Sequence, residues 1–336
     1  MKKAILTLSA SILILLPILY LLGPHPAKPT YTLNQENLLV ALKDLDSYVA
    51  YQEKLYAPIK PGNEARIVWA NDTVKSKTPY ALIYLHGFSA SHEEGNPIHE
   101  WMAKRYGMNL YLPRLADHGR ISEQPLVKYT AEQTWIDATK ALTIGKLLGE
   151  KVIILSTSTG GTLSLLLSAH DSSIHAQILM SPNIAVNDSK AWLLNNPWGL
   201  HIARQVIGGD YRYAGDSTEP YIKYWNYKYR IEALTELQEL IETSMLPATF
   251  HAIHQPTLLM YYYKDEQHQD PVVRVDAMLK MYDELATASD KKHKVAMPNV
   301  DNHVMGSYIK SHDLESVKKE ITEFVEHTLL IKPIDQ

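Results

Sequence analysis

One serine lies where an apolar run of the sequence meets a run that favours a helix, and its surroundings suit covalent chemistry. Ser158 follows the largely apolar segment 151–157 and is followed two residues later by Gly160. The spacing is small-x-Ser-x-Gly, with Ser156 at the first small position, and it predicts a sharp strand-to-helix turn. Such a turn strains the backbone and lifts the hydroxyl above the strand ends. The chemistry that this predicts is nucleophilic attack by the hydroxyl, as in acyl transfer.

Two further segments carry side chains that could activate such a serine. His303 lies in a polar turn after the last predicted strand, and this position distinguishes it among the fifteen histidines. Asp265 and Asp270 lie in a loop after the strand predicted at 257–263. An imidazole can accept the serine proton, and a carboxylate can orient the imidazole and stabilise its protonated form.

These segments resemble the serine α/β-hydrolase superfamily, near its esterase, lipase and monoacylglycerol-lipase-like branches. The resemblance covers about residues 65–330. It rests on a predicted strand at 80–85 that ends in His-Gly-Phe at 86–88, on the turn around Ser158, and on the chain order Ser, Asp, His. The sequence departs from the family pattern at Ser156, where the motif usually has glycine.

The resemblance implies roles for individual residues. Ser158 is expected as the nucleophile and His303 as the general base. The backbone N–H groups of Phe88 and Thr159 are expected to bind the developing oxyanion, the second at the positive end of a helix. We expect the side chain of His86 to be a hydrogen-bonded turn residue without a chemical role.

The acid of this triad has two candidates. Asp265 lies close to the end of the preceding strand, where the family's Gly-x-x-Asp turn places the acid. Asp270 precedes Pro271-Val272-Val273, which resembles the family's Asp-x-Val-Val ending. We favour Asp270 and keep Asp265 as the alternative.

The order of predicted elements indicates the fold class. Apolar patterns separated by amphipathic ones predict parallel βαβ units, and the resemblance implies a mostly parallel, doubly wound α/β sheet of the hydrolase type. Strands are predicted at 65–70, 80–85, 108–113, 151–157, 176–180 and 257–263, with a last short strand from about 295, and helices at 36–56, 130–149, 275–287 and 314–330. Thr130 and Gln133 have the spacing of a helix capping box.

The alternation stops between the strands predicted at 176–180 and 257–263. The resemblance implies a helical cap insertion there, at about 184–254, over the strand ends. We expect most of its nine tryptophan and tyrosine side chains to form the core of this cap: Trp192, Trp198, Tyr211, Tyr213, Tyr221, Tyr224, Trp225, Tyr227 and Tyr229.

The N-terminal segment 1–30 is expected to lie outside the hydrolase domain, which would span 31–336. Residues 4–22 are uncharged and mostly apolar, long enough to cross a bilayer, and no clear cleavage site precedes the following prolines. We expect a membrane anchor with the catalytic domain outside the cytoplasm, periplasmic or extracellular. Secretion after signal cleavage is the alternative.

The composition and the absence of certain motifs argue against several other classes of function. A net charge of −4 argues against a nucleic-acid partner, and the absence of cysteine excludes disulfides and thiolate chemistry. No dinucleotide or phosphate-binding motif indicates a cofactor. A cluster of histidines and acids fits no compact metal-ligand spacing, so we expect no metal and place the cluster on a loop and helix surface: His92, Glu93, Glu94, His99 and Glu100.

The sequence thus predicts a serine hydrolase of carboxylic esters, lipid-like or with small acyl groups, that forms an acyl-enzyme on Ser158. The same triad would serve an amide or peptide hydrolase, and a non-catalytic binding protein with the hydrolase fold is a third interpretation. Neither the substrate nor the oligomeric state follows from the sequence.

Overall fold

The computed structural model describes residue 15, residues 17–33 and residues 38–334. Most of the segment predicted as a membrane anchor lies outside these residues. In the described ranges, no helix combines the length and the apolar character needed to cross a membrane.

A seven-stranded sheet forms the centre of the molecule. Its order is β1-β3-β2-β4-β5-β8-β9, and every neighbouring pair is parallel except β1 with β3. A separate antiparallel pair, β6 with β7, lies in the connection between β5 and β8. The strands are Arg66–Val68 (β1), Thr78–Leu85 (β2), Asn109–Leu112 (β3), Gly149–Thr157 (β4), Ile174–Met180 (β5), Tyr211–Tyr213 (β6), Lys228–Arg230 (β7), Thr257–Tyr261 (β8) and Lys292–Ala296 (β9).

Helices cover both faces of this sheet, which confirms the predicted doubly wound α/β class. They are Leu45–Lys54 (α1), Ile98–Tyr106 (α2), Ala131–Leu148 (α3), Thr159–His170 (α4), Gly199–Ile207 (α5), Glu219–Tyr224 (α6), Glu232–Ser244 (α7), Pro247–His251 (α8), Val275–Glu284 (α9) and Leu314–Glu323 (α10).

The side-chain alternation of β2 shows why both faces are buried. Leu82 and Tyr84 pack in one cluster with residues of α2 and α10. Ala81, Ile83 and Leu85 point the other way and pack with residues of α1, α3 and α4. Successive side chains of a strand face opposite sides, so an unbroken apolar run is what a parallel strand between two helix layers requires.

The helix boundaries agree with the sequence in part. Thr130 caps α3 as predicted, because its hydroxyl accepts the N–H of Gln133 at 3.1 Å. The second hydrogen bond of a capping box is not formed, since the Gln133 side chain donates to Asp137 and does not accept the Thr130 N–H. The helix predicted at 314–330 is α10 followed by a π-helical turn at Phe324–Thr328. The helix predicted at 275–287 ends earlier, at Glu284.

The connection between β5 and β8 contains α5 to α8 and the β6–β7 pair, which was not predicted. The expectation that most of its aromatic residues form a core was met in part, because Tyr221 and Tyr224 pack against the cluster of Trp225 and Tyr229 packs in a second cluster. Among the nine, Trp225 alone is buried, and Trp192, Trp198 and Tyr213 are exposed.

Candidate active site

Ser158 occupies the sharp turn between β4 and α4. Its φ and ψ are 53° and −119°, a conformation that non-glycine residues rarely adopt and that indicates stored strain. Three features keep it there. The Ser158 N–H donates to Met180 O at 3.1 Å, and Ser158 O accepts the N–H of Asn183 at 2.9 Å. A Cβ on Gly160 would lie 1.9 Å from Leu85 O, so the helix start can approach the sheet only with glycine there.

Ser156 occupies the first position of the small-x-Ser-x-Gly motif, where the close packing around the turn requires a small side chain. Ser156 is fully buried in β4, and its hydroxyl donates to Ile178 O at 3.3 Å. A small side chain whose polar atom has an acceptor fits this place without disturbing the turn.

His303 and Asp270 form a buried pair. Asp270 Oδ2 lies 2.7 Å from His303 Nδ1, and the two residues are 1% and 8% exposed. The second carboxylate oxygen, Oδ1, accepts the backbone N–H groups of Val272 and Val273 at 2.9 and 3.0 Å. The carboxylate is therefore fixed by its own loop, and it holds the proton of the imidazole on Nδ1.

The electrostatics of this pair favour a charged imidazole. Burial alone would lower the pKa of His303, but the charge of Asp270, the hydrogen bond between them and the charge of Glu94 raise that pKa above its ordinary value. Burial likewise opposes the charge of Asp270, whereas the charge and hydrogen bond of His303 and the N–H groups of its loop leave its pKa below the usual range. A base that is easily protonated and has a fixed acid behind it suits proton abstraction.

Asp265 lies elsewhere on the same loop. Its carboxylate accepts the N–H groups of Gln267 and His268 and contacts the His268 ring at 2.8 Å. The side chains of Asp265 and His268 are 52% and 60% exposed. Of the two predicted candidates for the acid, Asp270 is therefore the one that contacts His303.

Ser158 and His303 lie at the same edge of the sheet. Ser158 directly follows β4 and His303 follows β9, and both strands belong to the parallel part of the sheet, so their carboxyl ends share one edge. Among the described residues, the Ser158 hydroxyl has no hydrogen-bond partner. In hydrolases without substrate, the hydrogen bond between the nucleophile and its general base is often long, and it shortens when substrate binds.

The backbone N–H groups of Phe88 and Thr159 are the two predicted oxyanion donors. Neither the N–H of Phe88 nor that of Thr159 has an acceptor in the part of the chain that the structure describes. The N–H groups beside Phe88 are taken, since Gly87 donates to Glu94 Oε2 and Ser89 donates to His118 Nε2 at 2.9 Å.

Two buried histidines hold this turn in place. His86 accepts the N–H of Leu115 on Nε2 at 3.1 Å and donates from Nδ1 to Gly87 O. His118 donates from Nδ1 to Ala116 O. Burial lowers the pKa of His86 to about 4 and that of His118 well below its ordinary value, so both rings are neutral at pH 7. His86 is a hydrogen-bonded turn residue, as expected, and His118 is a supporting residue that sequence reasoning missed.

The cluster expected on a loop and helix surface is mostly buried, which corrects that expectation. His92, Glu93, Glu94 and His99 are 1%, 6%, 2% and 0% exposed, whereas Glu100 forms an exposed ion pair with Arg66. The 3-10 turn at His92–Gly95 packs against β2 and β4, and this long-range packing leaves no sign in the local sequence. The described residues contain no group of three ligands that could hold a metal ion.

No protein-family model and no curated relative matches the sequence. Solved structures with a similar fold include one reported for LipS and LipT, two metagenome-derived lipolytic enzymes, at 16% identity and a TM-score of 0.64; it covers 80% of this chain and 99% of that one. A soluble variant of monoglyceride lipase from Saccharomyces cerevisiae has 10% identity and a TM-score of 0.57, over 78% of this chain and 91% of that one. The monoacylglycerol lipase of Paleococcus ferrophilus has 14% identity and a TM-score of 0.52, over 74% and 96%.

These neighbours are α/β-hydrolases that act on lipids, and the similarity extends over nearly their whole length. At such low identity the likeness concerns the fold. The chain therefore has the α/β-hydrolase fold that the sequence resemblance implied.

Proposed function

We propose that the chain is a serine hydrolase that cleaves carboxylic esters through an acyl-enzyme on Ser158. The observation that carries the proposal is the buried contact of 2.7 Å between Asp270 and His303 at the sheet edge where Ser158 is held in a strained turn. Lipases and esterases among the structures of similar fold support an ester as the substrate.

Each residue has a defined part in the proposed reaction. His303 Nε2 accepts the proton of Ser158 as its Oγ attacks the ester carbonyl, and Asp270 stabilises the imidazolium that forms. The N–H groups of Phe88 and Thr159 donate to the oxyanion. The imidazolium then protonates the leaving alcohol. Water, activated by the same imidazole, hydrolyses the acyl-enzyme and restores the hydroxyl.

The test is Ser158→Ala with p-nitrophenyl esters of increasing acyl length. We expect turnover to fall to the background rate, because removing the nucleophile of a triad costs on the order of 10⁶-fold in kcat. Fluorophosphonate labelling should modify the unaltered chain at Ser158 and leave the variant unmodified. The matched control is Ser181→Ala, a buried serine directly after β5 whose hydroxyl has no hydrogen-bond partner among the described residues. This control should keep both its turnover and its labelling.

The same experiment separates the other two interpretations of the sequence. Equal turnover of p-nitrophenyl esters and aminoacyl anilides would favour an amide hydrolase. An unaltered chain that neither hydrolyses esters nor reacts with the fluorophosphonate would contradict the proposal and favour a binding protein. Undiminished ester turnover by the Ser158→Ala variant would also contradict it.

We also propose that residues 4–22 attach the chain to a membrane with its catalytic domain outside the cytoplasm. The support is the apolar character of this segment, whose described residues Leu19, Leu21 and Leu22 are exposed. The full chain should sediment with membranes and require detergent for release, whereas a chain starting at Lys28 should not. Full-length chain in the soluble fraction would contradict the anchor, and a processed N-terminus would favour secretion.

A further inference from the structure

Glu94 is a buried acid that the proposed triad does not use. It is 2% exposed and belongs to a short 3-10 turn, His92–Gly95, that follows the oxyanion turn. Acids are rarely buried to this degree without a partner that needs their charge. Its position between two parts of the candidate site indicates what that partner is.

The carboxylate of Glu94 contacts the oxyanion turn and lies beside the nucleophile. Glu94 Oε2 accepts the backbone N–H of Gly87. A Cβ placed on Gly87 would come within 2.9 Å of Glu94 Oε1 and 3.0 Å of Ser158 Cβ. Glycine is therefore required at 87 because the carboxyl group and the serine approach it together.

A buried hydroxyl pair connects the same carboxylate to the other side of the nucleophile. The Tyr84 hydroxyl lies 3.4 Å from Glu94 Oε2 and 2.9 Å from the Thr157 hydroxyl. Thr157 directly precedes Ser158. The contacts of Glu94 thus join the residue before the oxyanion donor to the residue before the nucleophile.

The titratable groups that face Glu94 come from three elements. They are Tyr84 on β2, His303 on the loop after β9 and Tyr221 on α6. Burial raises the pKa of Glu94 to about 7, against the opposing effects of the Gly87 N–H, the charge of His303 and the Tyr84 hydroxyl. The negative charge of Glu94 in turn favours the protonated form of His303.

We propose that Glu94 is a positioning residue of the candidate active site, which accepts the Gly87 N–H and thereby holds the oxyanion turn so that the N–H of Phe88 is correctly placed. The inference rests on the proposed ester hydrolysis. It assigns the placement of the Phe88 donor to one buried carboxyl group.

The test compares Glu94→Leu, which removes the acceptor for the Gly87 N–H, with Glu94→Gln, which keeps the size and an acceptor oxygen. Glu94→Leu should lower kcat for a p-nitrophenyl ester on the order of 10²-fold and change KM little, because a displaced oxyanion donor weakens binding of the transition state and not of the ester. Glu94→Gln should restore most of the lost kcat. A role confined to packing would lower thermal stability in Glu94→Leu without this selective loss of kcat.

Glu93→Leu is the matched control, since it makes the same exchange at the adjacent buried acid. The Glu93 carboxylate accepts from the Asn96 side chain at 2.8 Å. Its kcat should stay close to that of the unaltered chain. An equal loss of kcat in Glu93→Leu and Glu94→Leu, or an unchanged kcat in a folded Glu94→Leu, would overturn the inference while the ester hydrolysis stands.

Glu94→Asp decides the matter if the leucine variant does not fold. It keeps an acid but draws it back by one methylene from the Gly87 N–H, so kcat should fall on the order of tenfold with little change in KM. An unchanged kcat in this variant would overturn the inference. Failure of the proposed function looks different, because the unaltered chain would then neither turn over esters nor react with the fluorophosphonate.

Discussion

Replacing Asp270 with asparagine is expected to abolish turnover by reversing the polarity of one hydrogen bond. Val272 and Val273 donate their N–H groups to Asp270 Oδ1 at 2.9 and 3.0 Å. An asparagine oxygen would keep these two donors, and its NH₂ group would then face His303 Nδ1. That ring nitrogen would have to accept, which moves the imidazole proton to Nε2.

An imidazole protonated on Nε2 cannot accept the proton of Ser158. The same tautomer change in a Ser-His-Asp protease lowers kcat on the order of 10⁴-fold, and we expect a comparable loss here. This corresponds to about 5.5 kcal/mol of transition-state stabilisation. Asp265→Asn should change turnover less than about twofold, because its half-exposed side chain holds only its own loop and asparagine can accept the same N–H groups.

The assay is kcat/KM for a short-chain p-nitrophenyl ester, with thermal unfolding of each variant as the control for folding. Both substitutions preserve side-chain size and remove one formal charge. The acid assignment would be refuted if Asp270→Asn, still folded, kept more than a tenth of the activity. Loss of activity in Asp265→Asn alone would transfer the role to the alternative acid.

Two more predictions follow from the environment of the site. Because a protonated His303 cannot act as a base and its pKa is raised, kcat/KM should fall as the pH is lowered, with a midpoint above about 6.5; activity that stays constant down to pH 5 would contradict this. Gly160→Ala should lower the free energy of unfolding in urea by about 3 kcal/mol, since its Cβ would press on Leu85 O, whereas Gly209→Ala, with no atom within 4 Å, should change it little. Equal unfolding free energies for these two variants would contradict the packing argument.

The parts of the molecule that were predictable from sequence depend on local rules. The strand alternation of β2, the hydroxyl cap of Thr130 and the small residues around Ser158 are each set by neighbours within a few positions. The preference for Asp270 over Asp265 agrees with the observed contact to His303 and came from the residues that follow the aspartate. The roles of these residues in catalysis stay predictions until the variants are measured.

The parts that were missed depend on contacts between distant segments. Glu94 is surrounded by polar residues in the sequence, and its burial arises because β2, β4 and the loop of His303 converge there. Likewise, His118 holds Ser89, which lies 29 positions away. Hydropathy patterns report the average environment of a segment, so they cannot distinguish a single buried acid in a polar loop from its solvated neighbours.

The N–H of Phe88 has no acceptor among the residues that the structure describes, and its surroundings explain why. On one side the N–H of Gly87 is held by a carboxylate, and on the other the N–H of Ser89 is held by the neutral ring of His118. The carbonyl of the same peptide, Gly87 O, accepts from His86 Nδ1 at 2.9 Å and from the Ala90 N–H at 3.4 Å, which opposes rotation of the peptide. In the proposed ester hydrolysis the N–H of Phe88 is therefore oriented before substrate arrives and needs no reorganisation as negative charge develops on the ester oxygen. On this proposal, the hydrogen bonds of the surrounding turn, more than the identity of Phe88 itself, prepare the donor for an oxyanion.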